Sequence, residues 1–198
     1  MKKIPTLFKR KFTSNHDFIL TEEVTDGMEK ILQGEGTATI KKDGAACAII
    51  NGVLYKRYDA KRGKKVPEGA IPCQEKPDEI TGHFPHWLKC EEENPADKWY
   101  IQAYKNTLAH MTVPLVDATY EAVGVHFQGN PYKFPADFLL KHGQEVVEVD
   151  RTFNGIKLWL MEHPSEEGLV FWLDGEPVCK IRQKDYHLKW IGSKEFDF

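Results

Sequence analysis

Three short motifs place lysine, glutamate and arginine side chains in patterns suited to phosphate chemistry. Lys41 begins a K-x-D-G motif, Glu167 precedes Gly168 and an apolar run, and Lys180 and Arg182 end the next apolar run. A lysine amine becomes a nucleophile once it has lost its proton. A carboxylate beside two cations suits a nucleotide phosphate and its metal ion. Together the motifs predict a nucleotide site.

Segments with strong β propensity surround these motifs, at 37–41, 46–50, 53–59, 168–173 and 177–182. Asn51-Gly52 and Asp174-Gly175 predict two hairpins, because both positions of such a turn favour positive φ. Alternate residues of a strand share a face, so Lys180 and Arg182 are predicted to point the same way. The second hairpin would bring Glu167 beside that pair.

The remaining elements follow from periodicity and from turn residues. Strands are predicted at 118–125 and 145–149. Helices are predicted at 97–110, at 135–143 with Gly143 just past the end, and at 152–163. The last of these carries one apolar stripe, formed by Phe153, Ile156, Trp159 and Leu160.

Two stretches show little regular pattern. Residues 1–36 are predicted to be irregular apart from a short helix within 21–32, and residues 60–96, rich in Pro, Gly and charge, to form long loops. With the strands above, the predicted fold class is α+β: mostly antiparallel sheet with a few helices, in a single domain spanning residues 1–198.

Composition limits the kinds of partner. The 198 residues are 41% hydrophobic and 12% aromatic, with a formal net charge of −3. A protein that coats nucleic acid is usually basic overall, so any contact here needs a local patch. The segment Lys56–Lys65 is one candidate for holding a polynucleotide backbone. Lys9–Lys11 is a second basic cluster, equally consistent with a solvated loop.

The cysteine usage favours a reducing compartment. The four cysteines show no close pairing, which is typical of reduced thiols in the cytosol. The N-terminus lacks the apolar run of a signal peptide, and no stretch is long and apolar enough to cross a membrane. A zinc site built from Cys73, His83, His86 and Cys90 is an alternative use of H-x-x-H and H-x-x-x-C spacings.

The order of the motifs resembles that of the covalent nucleotidyltransferases, which include ATP-dependent DNA and RNA ligases and mRNA capping enzymes. The chain has K-x-D-G, E-x-x-G, E-G before apolar residues, and then K-x-R. The detailed match is closest to 5′–3′ RNA ligases related to the vertebrate enzyme. It spans residues 37–190 and includes TIKKDGAAC, GHFPHW, YEAVGVHFQGNPY, EGLVFW and KIRQKDYHLKW.

This resemblance implies an ATP-grasp-like adenylation domain that uses ATP and Mg²⁺ or Mn²⁺. No OB domain is expected, because residues 191–198 after the KW motif are too few to form the one that DNA ligases and capping enzymes carry there. It assigns the nucleotide to six side chains: Lys41, Arg57, Glu121, Glu167, Lys180 and Arg182. Lys41 would be the nucleophile that takes AMP from ATP, and we expect nearby cations to favour its neutral amine. Glu167 would bind the metal ion.

The other assigned side chains would hold the nucleotide itself. Lys180 would contact the α-phosphate with Arg182 beside it, Glu121 would hold the ribose or assist the metal, and Arg57 would contact phosphate or ribose. Two departures from the family pattern stand out. Ala45-Ala46 follows K-x-D-G where relatives carry Arg or Ser, and K-I-R replaces the commoner K-x-K.

The implied function is an ATP-dependent RNA ligase that joins 5′-phosphate and 3′-OH ends through a lysyl-AMP intermediate. We expect a monomeric, cytoplasmic RNA-repair enzyme that does not associate with membranes. Two alternatives remain open. One is a capping-type guanylyltransferase that uses GTP, and the other is a non-catalytic nucleic-acid-binding domain that keeps the fold.

Overall fold

The structure, a computed structural model, describes residues 1–14, 17–61, 64–79, 81–111 and 114–193. The chain divides into two compact units that alternate along the sequence. Unit 1 comprises Met1–Lys3 and Asp43–His142. Unit 2 comprises Ile4–Lys42 and Gly143–Phe198, and the structure describes it as far as residue 193.

The strands and helices are numbered in chain order. The strands are β1 (Phe8–Phe12), β2 (Phe18–Val24), β3 (Thr37–Lys41), β4 (Ala45–Ile50), β5 (Val53–Ala60), β6 (Ile71–Pro72), β7 (Phe84–Lys89), β8 (Ala118–Val123), β9 (Phe138–Lys141), β10 (Val146–Val147), β11 (Gly168–Leu173) and β12 (Glu176–Arg182). The α-helices are α1 (Glu29–Leu32), α2 (Lys98–His110) and α3 (Phe153–Glu162). Short 3₁₀ turns at Pro95–Asp97 and Gln183–Tyr186 complete the regular structure.

Unit 2 is built on a four-stranded antiparallel sheet in the order β10-β3-β11-β12. One face of this sheet is apolar, since Leu169, Phe171 and Ile181 are fully buried. That face packs with Ile156 and Leu160 of α3, because the stripe of the helix can leave water only against another apolar surface. The β1–β2 hairpin adds its own buried side chains to the same core.

Unit 1 is built on a six-stranded sheet in the order β6-β7-β5-β4-β8-β9, with all neighbours antiparallel. Cys47, Leu54, Tyr120 and Leu139 project from one face into a core shared with α2, where Ala103 is fully buried. The opposite face carries Arg57 and Glu121 as well as large apolar side chains such as Trp87, which is opposite Arg57.

The predicted fold class is confirmed: the structure is α+β, with mostly antiparallel sheet and few helices. Both predicted hairpins form with the expected positive φ angles. These are 51° at Asn51 and 73° at Gly52 in one turn, and 51° at Asp174 and 79° at Gly175 in the other. Helices α2 and α3 lie within the predicted ranges.

Three local predictions are wrong. Residues 1–36 are not irregular, because they contain the β1–β2 hairpin. The stretch 60–96 holds the strands β6 and β7. The predicted helix at 135–143 is strand β9, which pairs with β8 to form the edge of the sheet and alternates buried Leu139 with its less buried neighbours. Pairing with an existing sheet edge outweighs the helical preference of the two leucines.

Within the described residues, no helix combines the length and the apolar character needed to span a bilayer. The four cysteines are free thiols. Burial raises the pKa of the Cys90 and Cys179 thiols to about 12, so neither is a reactive thiolate at neutral pH.

Candidate active site

Three of the predicted cations lie on one face of the unit 2 sheet. Lys41 is opposite Gly168 on the neighbouring strand, and Gly168 is in turn opposite Arg182. Lys180 is opposite Val170, two residues further along β11. Directly opposed residues and residues two apart share a face, so Lys41, Lys180 and Arg182 project to the same side, away from the core.

Gly168 is required by the close approach of β12. A β-carbon at this position would lie 2.2 Å from the carbonyl oxygen of Ile181 and 2.7 Å from Cα of Arg182. Both distances are far below van der Waals contact, and both atoms belong to backbone that cannot move without breaking the strand pairing. The glycine of the E-G motif is therefore a packing requirement of the sheet that carries the cations.

Lys41 and Glu167 form the central contact of the site. The Lys41 ammonium donates to Oε2 of Glu167 and also to the carbonyl oxygen of Lys42, at 3.2 Å. Glu167 is buried, with 7% of its surface exposed. Its backbone carbonyl accepts from the amide of Gln183 at 2.9 Å. The carboxylate and the amine are thus held against each other at the ends of neighbouring strands.

Lys42 is paired separately. Its ammonium lies 2.8 Å from Oε2 of Glu166 and 3.3 Å from Oε2 of Glu145. Two consecutive lysines therefore contact two consecutive glutamates, each through its own ion pair. Carboxylates therefore neutralise the charge of the Lys42 ammonium.

Arg182 is likewise held by a carboxylate. Its Nε and Nη2 lie 3.3 and 3.2 Å from the oxygens of Asp185, which is fully buried. Arg10 of β1 contacts the same carboxylate. Burial, with the charge of Arg182 next in importance, lowers the pKa of Lys184 in this cluster. Sequence reasoning missed Arg10 and Asp185, although Asp185 stands three residues after Arg182.

The two other predicted site residues belong to unit 1. Ala46 is opposite Glu121, while the adjacent Cys47 is opposite Lys56 on the core side. Alternation then puts Glu121, Ala46 and Arg57 together on the non-core face. Ala46, on the strand between β5 and β8, presents only a methyl group on this face. The structure thus brings Arg57 and Glu121 onto one face of unit 1, and Lys41, Glu167, Lys180 and Arg182 together in unit 2.

A histidine missed by sequence reasoning holds Glu121. Nε2 of His142 lies 2.8 Å from Oε2 of Glu121, and Nδ1 lies 3.0 Å from the hydroxyl of Thr119. Both side chains are largely buried, at 18% and 11% exposure for His142 and Glu121. Within the described part of the chain, Oε1 of Glu121 has no hydrogen-bond partner, so it can accept from a ligand. His142 follows β9, which sequence patterns assign to a helix, and no sequence signal places it here.

The K-x-D-G turn is fixed by a loop that follows β8. The hydroxyl of Tyr132 accepts from the backbone amide of Asp43 at 2.6 Å, and the Gln128 side chain donates to the carbonyl of Gly44 at 3.3 Å. Gly44 has no room for a side chain, because a β-carbon would lie 2.3 Å from the carbonyl oxygen of Ala122. Tyr132 and Gln128 lie within the YEAVGVHFQGNPY segment, which is the signal that could have identified them.

The zinc alternative is not supported. Across residues 1–14, 17–61, 64–79, 81–111 and 114–193, no three His, Cys, Asp or Glu side chains form a group that could hold a metal ion. Nδ1 of His83 lies 2.9 Å from Oδ2 of Asp59, and Nδ1 of His86 lies 2.8 Å from the carbonyl oxygen of Phe84. These histidines serve local hydrogen bonds.

Several side chains of the two basic segments form ion pairs within the protein. Lys56 lies 2.5 Å from the buried carboxylate of Asp97, at the start of α2. Lys9 is paired with Glu23 at 2.6 Å, and Arg10 with Asp185 as above. Within the segment 56–65, Arg62 and Gly63 lie outside the described residues. Lys56 and Arg10 are therefore already paired with carboxylates inside the protein.

Comparison with known proteins gives a distant relationship to RNA ligases. RNA ligase 1 of Danio rerio is 28% identical over 144 residues, covering 58% of this chain and 43% of its own length. RNA ligase 1 of Rattus norvegicus is 29% identical over 161 residues, covering 63% of this chain and 49% of its own length. No protein family profile matches the chain.

The chain therefore spans slightly less than half the length of the curated relatives it matches. The similarity agrees with the RNA ligase resemblance of the sequence motifs. On this basis the chain is distantly similar to RNA ligases.

Proposed function

We propose that the protein is an ATP-dependent RNA ligase that forms a covalent lysyl-AMP intermediate on Lys41. The observation that carries the proposal is the contact between Lys41 and the buried Glu167 on a sheet face shared with Lys180 and Arg182. A lysine fixed against a carboxylate and flanked by cations is suited to attack a phosphate. The distant similarity to RNA ligases supports the same reaction class.

In the first step, the Lys41 amine attacks the α-phosphorus of ATP. A phosphorus–nitrogen bond forms, the bond to the β-phosphate oxygen breaks, and pyrophosphate leaves. The Lys41 ammonium must first lose a proton, and Glu167 is the base in contact with it. Lys180, with Arg182 beside it, is proposed to neutralise the charge that develops on the α-phosphate, since such transfers depend chiefly on positioning and charge stabilisation.

The nucleoside contacts are proposed for residues of unit 1. As the resemblance implies, Glu121 and Arg57 contact the ribose or a phosphate. The unpartnered Oε1 of Glu121 can accept a hydrogen bond from a sugar hydroxyl, while His142 holds the other oxygen. An ATP-grasp-like adenylation fold is part of the proposal.

Mg²⁺ or Mn²⁺ fits the chemistry of Glu167. Mg²⁺ in nucleotide enzymes is usually held by one or two carboxylates, with substrate phosphates and water completing its shell. Lys41 contacts Oε2 of Glu167, which leaves Oε1 for a cation that arrives with the triphosphate. When bound, such a cation would neutralise charge on the departing pyrophosphate.

RNA would enter in the second and third steps. A terminal 5′-phosphate oxygen attacks the phosphorus of lysyl-AMP, so the phosphorus–nitrogen bond breaks and the Lys41 amine is released. A 3′-OH then attacks the 5′-phosphate of the adenylated RNA, forming the phosphodiester and releasing AMP. The hydroxyl proton passes to solvent, and the protein contributes by holding the two ends in line.

Parallel incubations with α-³²P-labelled ATP and GTP, each with Mg²⁺, test the proposal. We expect AMP labelling and, after addition of 5′-phosphorylated single-stranded RNA, transfer of the label followed by ligation. Preferential labelling by GTP would instead favour a capping-type guanylyltransferase. Absence of labelling with either nucleotide would favour a non-catalytic nucleic-acid-binding domain. Light scattering of the purified protein would test the proposed monomer.

A further inference from the structure

An exposed pair of stacked rings lies in unit 1. The imidazole of His126, in the loop after β8, lies flat on the indole of Trp99 in the first turn of α2. The ring centroids are 3.3 Å apart and the planes are within 7° of parallel. The ammonium of Lys98 lies 4.4 Å from the same indole centroid. Trp99 remains 36% exposed and the neighbouring Val125 50% exposed.

A buried carboxylate fixes the orientation of His126. Oδ2 of Asp137 lies 2.7 Å from Nδ1 of His126, and Oδ1 accepts from the His126 backbone amide at 2.9 Å. Asp137 is 3% exposed, so it is a rigid support. The imidazole keeps 36% of its side-chain surface exposed, and its Nε2 has no hydrogen-bond partner in the described chain. One ring face is thus covered by Trp99, and the rest is presented to solvent.

The charge around the stack suits an electron-rich, negatively charged partner. The Lys98 ammonium is exposed and adjacent in sequence to the indole, and it is attracted to the indole face. It places a positive charge beside the two stacked rings.

We propose that the Lys98–Trp99–His126 stack binds a base and the neighbouring phosphate of single-stranded RNA. Proteins that hold single strands combine aromatic faces for the bases with cations for the backbone. The overall charge of −3 requires that such binding be local, and this surface offers both groups together. The inference rests on the proposed function only for the identity of the strand as RNA.

The same loop contacts the candidate active site. His126 stands near its beginning, and Gln128 and Tyr132 further along hold the Gly44 carbonyl and the Asp43 amide. A strand bound at His126 would therefore be held by the loop that fixes the turn following the proposed nucleophile. The simpler alternative is that the stack only anchors this loop to α2.

Fluorescence anisotropy with a labelled 5′-phosphorylated single-stranded RNA, without ATP, separates these two possibilities. His126→Gln keeps an amide donor for Asp137 but removes the ring, and Trp99→Leu removes the indole but keeps an apolar side chain. We expect each to weaken RNA binding by about tenfold, as for the loss of one base–aromatic stack. Thermal unfolding of both variants checks that the unit remains folded.

A matched control exists in unit 2, where the rings of Trp159 and His163 stack at 4.0 Å with planes within 10°. His163→Gln should leave RNA binding unchanged. AMP labelling of the wild type without RNA is measured in parallel, so failure of the proposed ligase chemistry and failure of this site are distinguishable. RNA affinity within twofold of wild type for both unit 1 variants, or no RNA binding by the wild type, would overturn the inference.

Discussion

Lys41, the last residue of β3, and Glu167, the residue before β11, contact each other through an ammonium and a buried carboxylate. Strand pairing creates this relationship, because Lys41 lies opposite Gly168 in the antiparallel register. The carboxylate therefore orients the proposed nucleophile and is also the nearest acceptor for its proton.

Replacing Glu167 with Gln should prevent efficient formation of the AMP adduct. The amide can still receive a hydrogen bond from Lys41, but it cannot take its proton or carry charge for a cation. We expect the rate of adenylylation to fall by at least about 100-fold, the lower range for loss of a general base. Quenched-flow labelling with ATP measures it. Glu166→Gln, which removes the carboxylate paired with Lys42, is the matched control, and its rate of adenylylation should fall far less. An equal fall in rate for both variants would argue against a special role for Glu167.

Gly168→Ala should distort the sheet that carries the cations. The added methyl group meets the carbonyl of Ile181, so the pairing of β11 with β12 must shift. We expect a loss of about 1–3 kcal/mol in the free energy of unfolding, typical of overpacking, together with slower adenylylation. Gly175→Ala is the comparison, because nothing lies within 4 Å of its β-carbon and the cost comes from its φ of 79°. Normal adenylylation by Gly168→Ala would contradict this interpretation of the E-G motif.

His142→Ala should impair use of ATP through Glu121. Removing the imidazole takes away the donor that holds Oε2 and frees the carboxylate to rotate. We expect about a tenfold rise in KM for ATP, equivalent to one lost charge-assisted hydrogen bond, with partial rescue in His142→Gln. A titration of adenylylation rate against ATP concentration measures both variants. An unchanged KM would mean that Glu121 does not contact the nucleotide.

Tyr132→Phe should loosen the turn after Lys41 without disturbing the core. The variant loses the oxygen that accepts from the amide of Asp43. A hydrogen bond of this kind contributes about 1 kcal/mol, so we expect adenylylation to slow by roughly fivefold. The thermal midpoint should stay close to that of the wild type. A large fall in the midpoint with normal activity would assign Tyr132 a structural role instead.

Asp185→Asn should destabilise unit 2. The fully buried carboxylate neutralises Arg10 and Arg182, and removing its charge leaves two guanidinium groups without compensation. Removing one partner of a buried ion pair lowers the free energy of unfolding by about 3–5 kcal/mol. For a chain of this length each kcal/mol shifts the thermal midpoint by about 2–4 °C, so we expect the midpoint to fall by roughly 10 °C. Lys30→Gln, in an exposed pair with Glu35 at 3.8 Å, is the control and should change little.

Sequence patterns predicted the parts of the fold that depend on local chemistry. Asn51-Gly52 and Asp174-Gly175 specify their turns through backbone preference alone, and the stripe around Ile156 and Leu160 specifies α3. Strand β9 was not predictable in this way, because Leu139 and its neighbours favour a helix until β8 offers an edge for pairing.

In the candidate site, too, local sequence patterns predicted some relationships, and strand pairing decided the others. Alternation on β12 correctly placed Lys180 and Arg182 on one face, and the second hairpin placed Glu167 beside them. The residues that form ion pairs and hydrogen bonds with the site side chains could not be predicted from the sequence. Asp185 compensates Arg182 together with Arg10, a residue 175 positions away, and His142 reaches Glu121 only through the pairing of β8 and β9. Such contacts depend on register, which local patterns leave open.

Intact-mass analysis after incubation with ATP and Mg²⁺ is the decisive test of Lys41 as the nucleophile. Lys41 and Lys42 are adjacent and both ion-paired, so Lys41→Ala and Lys42→Ala are matched variants. We expect the wild type and Lys42→Ala to gain the mass of one AMP, with the adduct mapping to Lys41, and Lys41→Ala to remain unmodified. An adduct on another lysine, or a wild-type protein that stays unmodified, would refute the assignment.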